Sequence, residues 1–428
     1  MPKTIRSIDG LFLLGIVWIV AIIFSAVPFM VSGFSVADSL FESTSNITTS
    51  GAAIVNVRRI SSGLFMWRSI MEWIGGLAII MLFTLLLPMF GFGSRELLDS
   101  STSFSSDAST LTLRKKDIAE QFLCVYSFLT AAMVLLLMSL DVSFFDSLCE
   151  SLATISTGGP VSKYSNFSEF PGKVKIVCSI FMLLGSINFF LHFRAIYYKK
   201  YTTYFSNEEF KFVLLWNSIL ITLIYILIHC DYTIGKGFNS DFIDVIVAVI
   251  GATSTTFFVD FEYWPEVVST ILIFAAFLGG SAGSTTGGIK ISRLIVILKY
   301  IQNGLKSILH PEAVCEVRLN KGFVENRTIN IIATLCVLFL LTTLAGILAL
   351  VICGYDLPSS ILTTIALITT SGSSFNGTLG LSICGLNWFL KIFLCFIMLL
   401  GRLEIISGII LFTPRFWKEF ISSMKRTG

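Results

Sequence analysis

The pentapeptide Ile-Thr-Thr-Ser-Gly stands at residues 47–51 and again, unchanged, at 368–372. Two related Ser/Thr-rich strings lie between them, at 154–158 and 251–255. Each string adjoins a short, mildly apolar run, about half the roughly 20 residues that a helix needs to cross a membrane. These runs cover residues 35–45, 144–154, 242–252 and 359–369. The pattern predicts a half-helix followed by a polar loop, repeated four times.

The composition places these loops in a membrane protein. The 428 residues are 54% hydrophobic and 13% charged, with a mean hydropathy of +0.84 and a net charge of +3. Soluble globular chains carry about 25% charged residues, so a water-soluble enzyme or a nucleic-acid binder is excluded. Long apolar segments predict eight spans: 11–31, 65–89, 121–140, 174–197, 212–228, 267–301 (interrupted), 329–352 and 388–412.

The Lys and Arg residues indicate the orientation of these spans. Most of the 30 lie at the termini or in alternate connectors, whereas the connectors that carry the half-helices hold few. Because basic connectors stay on the cytoplasmic side, both termini are predicted to be cytoplasmic, which an even number of spans requires.

The fold class that follows is an all-α polytopic membrane protein. Four pseudo-symmetric repeats, each a helix, a pore helix, a loop and a helix, are predicted to surround a central ion pore. The expected boundaries of the repeats are 1–117, 118–208, 209–327 and 328–428.

Four non-helical loops at membrane depth have a direct chemical interpretation. Such backbone is tolerated where it is buried in protein or lines a water-filled cavity. A ring of carbonyl oxygens can replace the hydration shell of a monovalent cation, and the C-terminal end of each pore helix is negative. A glycine would supply the left-handed conformation that turns the carbonyls to one axis. Aligned in this way, Thr255 stands where the other strings have Gly51, Gly158 and Gly372.

Several longer motifs accompany the four strings. They are Trp67-Arg68, Trp73-Ile74-Gly75-Gly76, 153–159, Asn188 with Leu191-His192-Phe193, Trp264-Pro265, 279–290, Gly401-Arg402-Leu403-Glu404 and 411–414. Together with the strings, these motifs resemble the Trk/Ktr/HKT superfamily of potassium transporters, most closely its TrkH/TrkG branch. The resemblance covers nearly the whole chain, although members of this branch usually have two more spans before the first repeat.

The resemblance implies a gated potassium-uptake protein of the cytoplasmic (inner) membrane with no covalently bound cofactor and K⁺ as the transported ion. It further implies a homodimer and a cytoplasmic, nucleotide-binding, TrkA-like regulatory subunit. The implied K⁺ ligands are the carbonyls of Thr49, Ser50, Ser156, Thr157, Thr253, Ser254, Thr370 and Ser371. The filter as a whole also includes Gly51, Gly158, Thr255 and Gly372. Because Thr255 is β-branched, a Na⁺-permeable or weakly selective transporter of the same fold is the alternative.

Two further features suggest a gate. Arg402 interrupts the last apolar span, and a mid-membrane Arg costs about 2.5–3.5 kcal/mol. The family places this Arg in the ion path below the filter, and a buried pair with Glu404 or with a neighbouring helix is the alternative. The Gly-rich tract 279–290 breaks the sixth span and is expected to constrict the pore. Its gate residues are Gly283, Ser284, Thr285, Thr286, Gly287 and Lys290.

A pair of charges in the second span has a simpler interpretation. Arg68 and Glu72 are one helical turn apart, so the sequence predicts an ion pair between them that stabilises the bundle.

Overall fold

A computed structural model describes residues 7–54, 60–82, 115–159, 170–230, 242–256, 264–310, 316–320, 322–372 and 383–403, with 408, 414, 417 and 418. Within this part of the chain the structure is helical, apart from one two-stranded antiparallel ribbon. The elements in chain order are α1 (Ser7–Val31), α2 (Val36–Ile47), α3 (Ser62–Met81), α4 (Lys115–Met138), α5 (Phe144–Ile155), α6 (Gly172–Ser186), α7 (Phe189–Tyr198), α8 (Thr202–Ser206), α9 (Glu208–Cys230), α10 (Phe242–Thr253), α11 (Glu266–Leu278), α12 (Ile291–Leu309), β1 (Arg318–Leu319), β2 (Gly322–Phe323), α13 (Asn326–Ile352), α14 (Leu357–Ile368) and α15 (Trp388–Arg402).

Apolar length identifies the spans. Among the described residues, four helices are long and apolar enough to cross a membrane, namely α3, α4, α9 and α13. The pair α6 and α7 would make a fifth span, although a bend of 100° separates the two helices. The chain is therefore a multi-pass membrane protein. The eight predicted spans all contain helix, but 174–197 is wrong as a single straight helix.

The bend between α6 and α7 has a visible cause. Backbone groups at the break bond to the Gly-rich tract instead of continuing the helix. The N–H of Ser281 donates to the carbonyl of Ser186 (2.9 Å), and the N–H of Phe189 donates to the carbonyl of Gly283 (3.1 Å). Asn188 then caps α7 by accepting from the N–H of Phe190 at 2.9 Å. Because these partners are distant in sequence, the apolar pattern of 174–197 did not reveal the break.

The four predicted half-helices are present as α2, α5, α10 and α14, each of 12 residues. Side chains cap three of them. Ser35 and Ser143 accept from backbone N–H groups three residues later, and Asp356 does the same for Ser359. Asp38 and Asp146 in the first turns of α2 and α5 also suit the positive end of the helix dipole. Local sequence thus determines where these short helices begin.

The packing order joins four units, which we number by their helices: unit 1 (α1–α3), unit 2 (α4–α7), unit 3 (α9–α12) and unit 4 (α13–α15). In each unit a helix that follows the loop packs on the half-helix of the next unit: α3 on α5, α6 on α10 and α11 on α14. Helix α15 of unit 4 packs on α2 of unit 1, which closes a ring of contacts.

Beside a buried apolar core, the molecule exposes many large apolar side chains and buries polar ones. Large apolar side chains such as Phe24 and Ile352 are 71% and 82% exposed, as expected for residues that face lipid. The ends of the half-helices are polar and fully buried, with Ser45, Asn46 and Thr48 all at 0%. The polar interior of the molecule therefore lies at the ring of half-helix ends.

Candidate ion-conduction site

The candidate site consists of the four segments that follow the half-helices. We call them loop 1 (48–51), loop 2 (156–159), loop 3 (254–256) and loop 4 (369–372). The second residue of each loop is a fully buried threonine in the left-handed conformation. The φ angles are 54° for Thr49, 55° for Thr157, 56° for Thr255 and 57° for Thr370.

The same two backbone hydrogen bonds close all four helix ends. In loop 1, the N–H of Thr49 donates to the carbonyl of Asn46 (3.0 Å), and the N–H of Ser50 donates to that of Ser45 (2.8 Å). This is the Schellman arrangement, which normally places glycine at the left-handed position. The corresponding donor and acceptor pairs are Thr157 to Thr154, Gly158 to Ala153, Thr255 to Ala252, Thr256 to Gly251, Thr370 to Leu367 and Ser371 to Ala366.

This geometry corrects the alignment made from the sequence. Thr255 corresponds to Thr49, so the prediction that it replaces a loop glycine is wrong. Relative to loop 1, the alignment of the four strings places loop 2 one residue out of register and loop 3 two residues out of register. The glycine position lies two residues after the left-handed threonine. It is occupied by Gly51, Gly159, Phe257 and Gly372, of which Phe257 lies outside the described residues.

A left-handed threonine is strained, because a β-branched side chain rarely adopts this conformation. Such positions cost about 1–3 kcal/mol each and cluster at functional sites. Here the strain recurs four times at equivalent, fully buried positions. Single-sequence reasoning assigned the positive φ to glycine, because propensity alone gives no signal for threonine.

Glycines in the following helices make room for the loops. A side chain at Gly75 in α3 would collide with the carbonyl of Ile47, and one at Gly401 in α15 would collide with that of Ile368. In α6, a methyl group added to Gly185 would lie 3.2 Å from the carbonyl of Ile155. Close packing at the last residues of these half-helices therefore requires glycine.

The Gly-rich tract 279–290 lies directly against the loops. The hydroxyl of Thr285 donates to the carbonyl of Ile155 at 3.1 Å, and the N–H of Gly287 donates to the hydroxyl of Thr255 at 3.1 Å. Gly287 also abuts the carbonyl of Thr369, where no side chain would fit. As predicted, α11 ends before the tract, at Leu278, and α12 begins after it.

Polar side chains hold the tract in its non-helical shape. The hydroxyls of Ser284 and Thr286 share a 2.7 Å hydrogen bond, and Thr286 also accepts from the N–H of Gly280 at 3.1 Å. Lys290 is buried, has a φ of 77° and directs its ammonium group to the carbonyl of Thr286. From α9, the carboxylate of Glu209 accepts from the N–H of Ala282 at 3.1 Å.

Arg402, the last residue of α15, connects the tract to the first unit. It is 2% exposed. Its Nη1 donates to the carbonyl of Thr285 at 2.7 Å, and its Nη2 donates to the carbonyl of Gly75 at 3.3 Å. Glu404, one alternative partner, lies outside the described residues, whereas Gly75 belongs to the neighbouring helix α3. Arg402 therefore places a positive charge between the tract and α3.

Buried charges lie behind loops 1 and 2. Arg68 in α3 forms its salt bridge with Glu42 of α2, so the predicted pair with Glu72 is wrong. The second oxygen of Glu42 accepts from the N–H of Ile54 at 2.7 Å, just after loop 1. Glu42 was missed as the partner because it lies 26 residues away from Arg68.

At the opposite ends of the half-helices, two acids are neutralised by lysines. Lys391 of α15 pairs with Asp38 at 2.6 Å, and Lys175 of α6 pairs with Asp244 at 2.7 Å. Asp356 instead accepts hydrogen bonds from Ser359, which lower the pKa of its carboxyl. The acids near the half-helix N-termini thus differ in the charge that they contribute.

A multi-pass helical bundle whose four half-helices end in buried, strained loops, with a buried arginine nearby, has the architecture of a membrane transporter rather than of an enzyme. The family model of the TrkH cation transport proteins matches residues 3–419, and the chain belongs to this family. It is thus a member of the Trk potassium-uptake transporters.

Related proteins cover almost the whole chain. The Trk system potassium uptake protein TrkH of Halomonas elongata is 30% identical over 97% of this chain and 87% of its own length. TrkG of Escherichia coli K12 is 30% identical over 97% of this chain and 86% of its own length. The crystal structure of the potassium transporter TrkH from Vibrio parahaemolyticus superposes with a TM-score of 0.85 at 25% identity, covering 97% of this chain and 87% of that one.

Proposed function

We propose that the protein takes up K⁺ through a gated, channel-like pore whose selectivity filter is formed by loops 1–4. The observation that carries the proposal is the left-handed threonine that recurs at the end of all four half-helices. Four such loops in a closed ring of units can direct carbonyl oxygens to one cation. In the corrected register, the equivalent carbonyl positions are 49 and 50, 157 and 158, 255 and 256, and 370 and 371.

The gate in this proposal is the Gly-rich tract together with Arg402. The tract contacts loops 3 and 4 and the last residue of α5, just before loop 2, and Arg402 bonds to Thr285 within it. The guanidinium of Arg402 repels a cation that leaves the filter. Movement of the tract would displace both the tract and Arg402, because Arg402 bonds to Thr285. The proposed repeat boundaries remain 1–117, 118–208, 209–327 and 328–428.

The test of the transport proposal is uptake of radioactive rubidium and sodium by liposomes that contain the purified protein. We expect rubidium uptake to exceed sodium uptake, because rubidium replaces K⁺. Equal uptake of the two ions would favour the weakly selective alternative. The weakly selective alternative depends on Thr255 being different from the residues of the other loops. Thr255 is instead equivalent to the other three left-handed threonines, so this argument for the alternative is lost.

The gate is tested by Arg402→Ala and by deletion of residues 283–287. Both should increase rubidium uptake. Arg318→Ala is the matched control, because this arginine is exposed on β1 and forms a surface salt bridge with the nearby Glu316. Uptake at or below the parent level, in protein that purifies normally, would contradict the gate assignment.

The protein is further proposed to act as a homodimer in the cytoplasmic membrane with both termini in the cytoplasm. Its relatives are named as parts of a Trk system, which supports a second component. We propose a nucleotide-binding, TrkA-like subunit on the cytoplasmic face, with no covalently bound cofactor in the transporter. Light scattering of the purified protein tests the dimer, and labelling of cysteines introduced at the termini tests the orientation.

A further inference from the structure

Loop 2 differs from the other loops at one position. The residue after the left-handed threonine is Ser50, Thr256 or Ser371 in loops 1, 3 and 4, and Gly158 in loop 2. In loops 3 and 4 this hydroxyl bonds to the hydroxyl two residues earlier, at 2.8 Å from Ser254 and 2.7 Å from Thr369. Those bonds brace the strained threonine between them, and glycine has no side chain with which to do so.

The space beside Gly158 is filled from another unit. A methyl group added to Gly158 would lie 2.6 Å from Oε2 of Glu72 and 2.8 Å from its Cδ. Glu72 belongs to α3 of unit 1 and is 1% exposed. Its Oε2, the atom nearest to Gly158, has no hydrogen-bond partner within the described part of the chain. One turn further along α3, a methyl group at Gly76 would lie 2.8 Å from Cβ of Ser156.

We propose that Glu72 is a positioning residue for loop 2, since its carboxyl fills the side-chain site that Gly158 leaves open and fixes the left-handed Thr157. This rests on the proposed role of the loops as a filter. Unit 1 therefore shapes the loop of unit 2, whereas loops 3 and 4 are braced by their own hydroxyls. The proposal requires both residues. Gly158 leaves room for the Glu72 carboxyl, and the carboxyl fills the space beside Gly158 that a side chain occupies in the other loops.

The mutual requirement gives a double-mutant test with the liposome assay. Glu72→Ala should lower the rubidium-to-sodium uptake ratio roughly tenfold, equivalent to about 1.4 kcal/mol in relative ion binding. Gly158→Ser alone should also impair the protein, because its Cβ meets the Glu72 carboxyl. The double variant E72A/G158S should return the ratio to within about twofold of the parent, because serine then fills the site as in loops 1 and 4.

Two further variants test whether the volume of the Glu72 side chain, rather than its charge, positions loop 2, and whether the added serine must lie in that loop. Glu72→Gln should retain the ratio, because the amide occupies the same volume. The control E72A/G63S should behave like E72A, because a side chain at Gly63 would contact nothing within 4 Å. The inference is overturned if the double variant is no better than E72A, or if Glu72→Gln loses selectivity as fully as Glu72→Ala.

Failure of the filter proposal would look different. In that case the parent protein itself would show no preference for rubidium, or no uptake. Should Gly158→Ser alone fail to fold, the comparison of E72A with the double variant still decides the question. A monodisperse elution profile for each variant shows that the uptake values refer to folded protein.

Discussion

The first two units and the last two support the same loop with different chemistry. Glu42 of α2 and Glu150 of α5 occupy equivalent places, five residues before the last residue of each half-helix, where α10 and α14 have Ala248 and Thr363. All four residues are buried. The four threonines nevertheless share φ angles of 54–57°, so different surroundings produce the same loop backbone. The shared feature is the backbone shape, and each pair of units reaches it by its own means.

The largest expected effect concerns the first two units, whose half-helices carry the buried glutamates. Arg68→Met leaves Glu42 buried without its cationic partner, and breaking a buried pair costs about 3–5 kcal/mol. Chemical denaturation in detergent measures the loss. The double variant E42M/R68M should recover only part of the loss, because it removes the unpaired Glu42 charge but leaves the N–H of Ile54 without its acceptor. A double variant no more stable than Arg68→Met would show that the unpaired charge of Glu42 is not the cause of the loss.

A smaller effect distinguishes loop 3 from loop 1. The hydroxyl of Thr255 accepts from the buried N–H of Gly287, whereas the buried hydroxyl of Thr49 has no hydrogen-bond partner. Thr255→Ala should cost about 1–3 kcal/mol, the penalty for a buried donor left unpaired. It should also increase rubidium uptake, because the Gly-rich tract loses an anchor. Thr49→Ala is the matched control and should change the denaturation midpoint little; equal losses would contradict the assignment.

Local sequence predicted the elements that local forces determine. The half-helix bounds follow from caps such as Ser35 and Ser143 and from apolar runs, and the break of the sixth span follows from the glycines of the tract. The features that depended on distant partners were missed. Glu42 pairs with Arg68 across units, and the bend before Asn188 depends on bonds to Gly283. The loop register was wrong because a repeated glycine is visible in a sequence, whereas a repeated left-handed threonine is not.

The salt bridges at the N-terminal ends of the half-helices provide a weaker test of the same comparison. Lys391 and Lys175 are largely buried, but their partners Asp38 and Asp244 retain side-chain exposures of 24% and 29%. Lys175→Met should therefore cost only about 1 kcal/mol. Lys391→Met should cost somewhat more, because Lys391 also donates to the carbonyl of Cys384 at 3.1 Å. Thermal unfolding of the two variants in parallel measures the order, and the reverse order would contradict it.

The smallest effect concerns the side chains that cap the N-termini of the half-helices. Of the three caps that are compared, one is a carboxyl group that titrates. Serines cap α2 and α5, whereas Asp356 caps α14. The pKa of Asp356 is lowered from 3.8 by its hydrogen bonds from Ser359. Its contribution is therefore complete above the unfolded value and is lost as the pH falls through the lower, folded value.

Asp356→Ser exchanges this cap for the one used by α2 and α5 and tests the difference. From neutral pH down to about the ordinary Asp pKa, the parent should melt at a higher temperature than the variant by a constant amount, because the carboxylate also interacts with the helix dipole. Below that pH the difference should shrink and then reverse, because the parent loses its cap on protonation whereas the serine cap does not titrate. A difference that stays constant into strong acid would show that the charge of Asp356 does not stabilise α14.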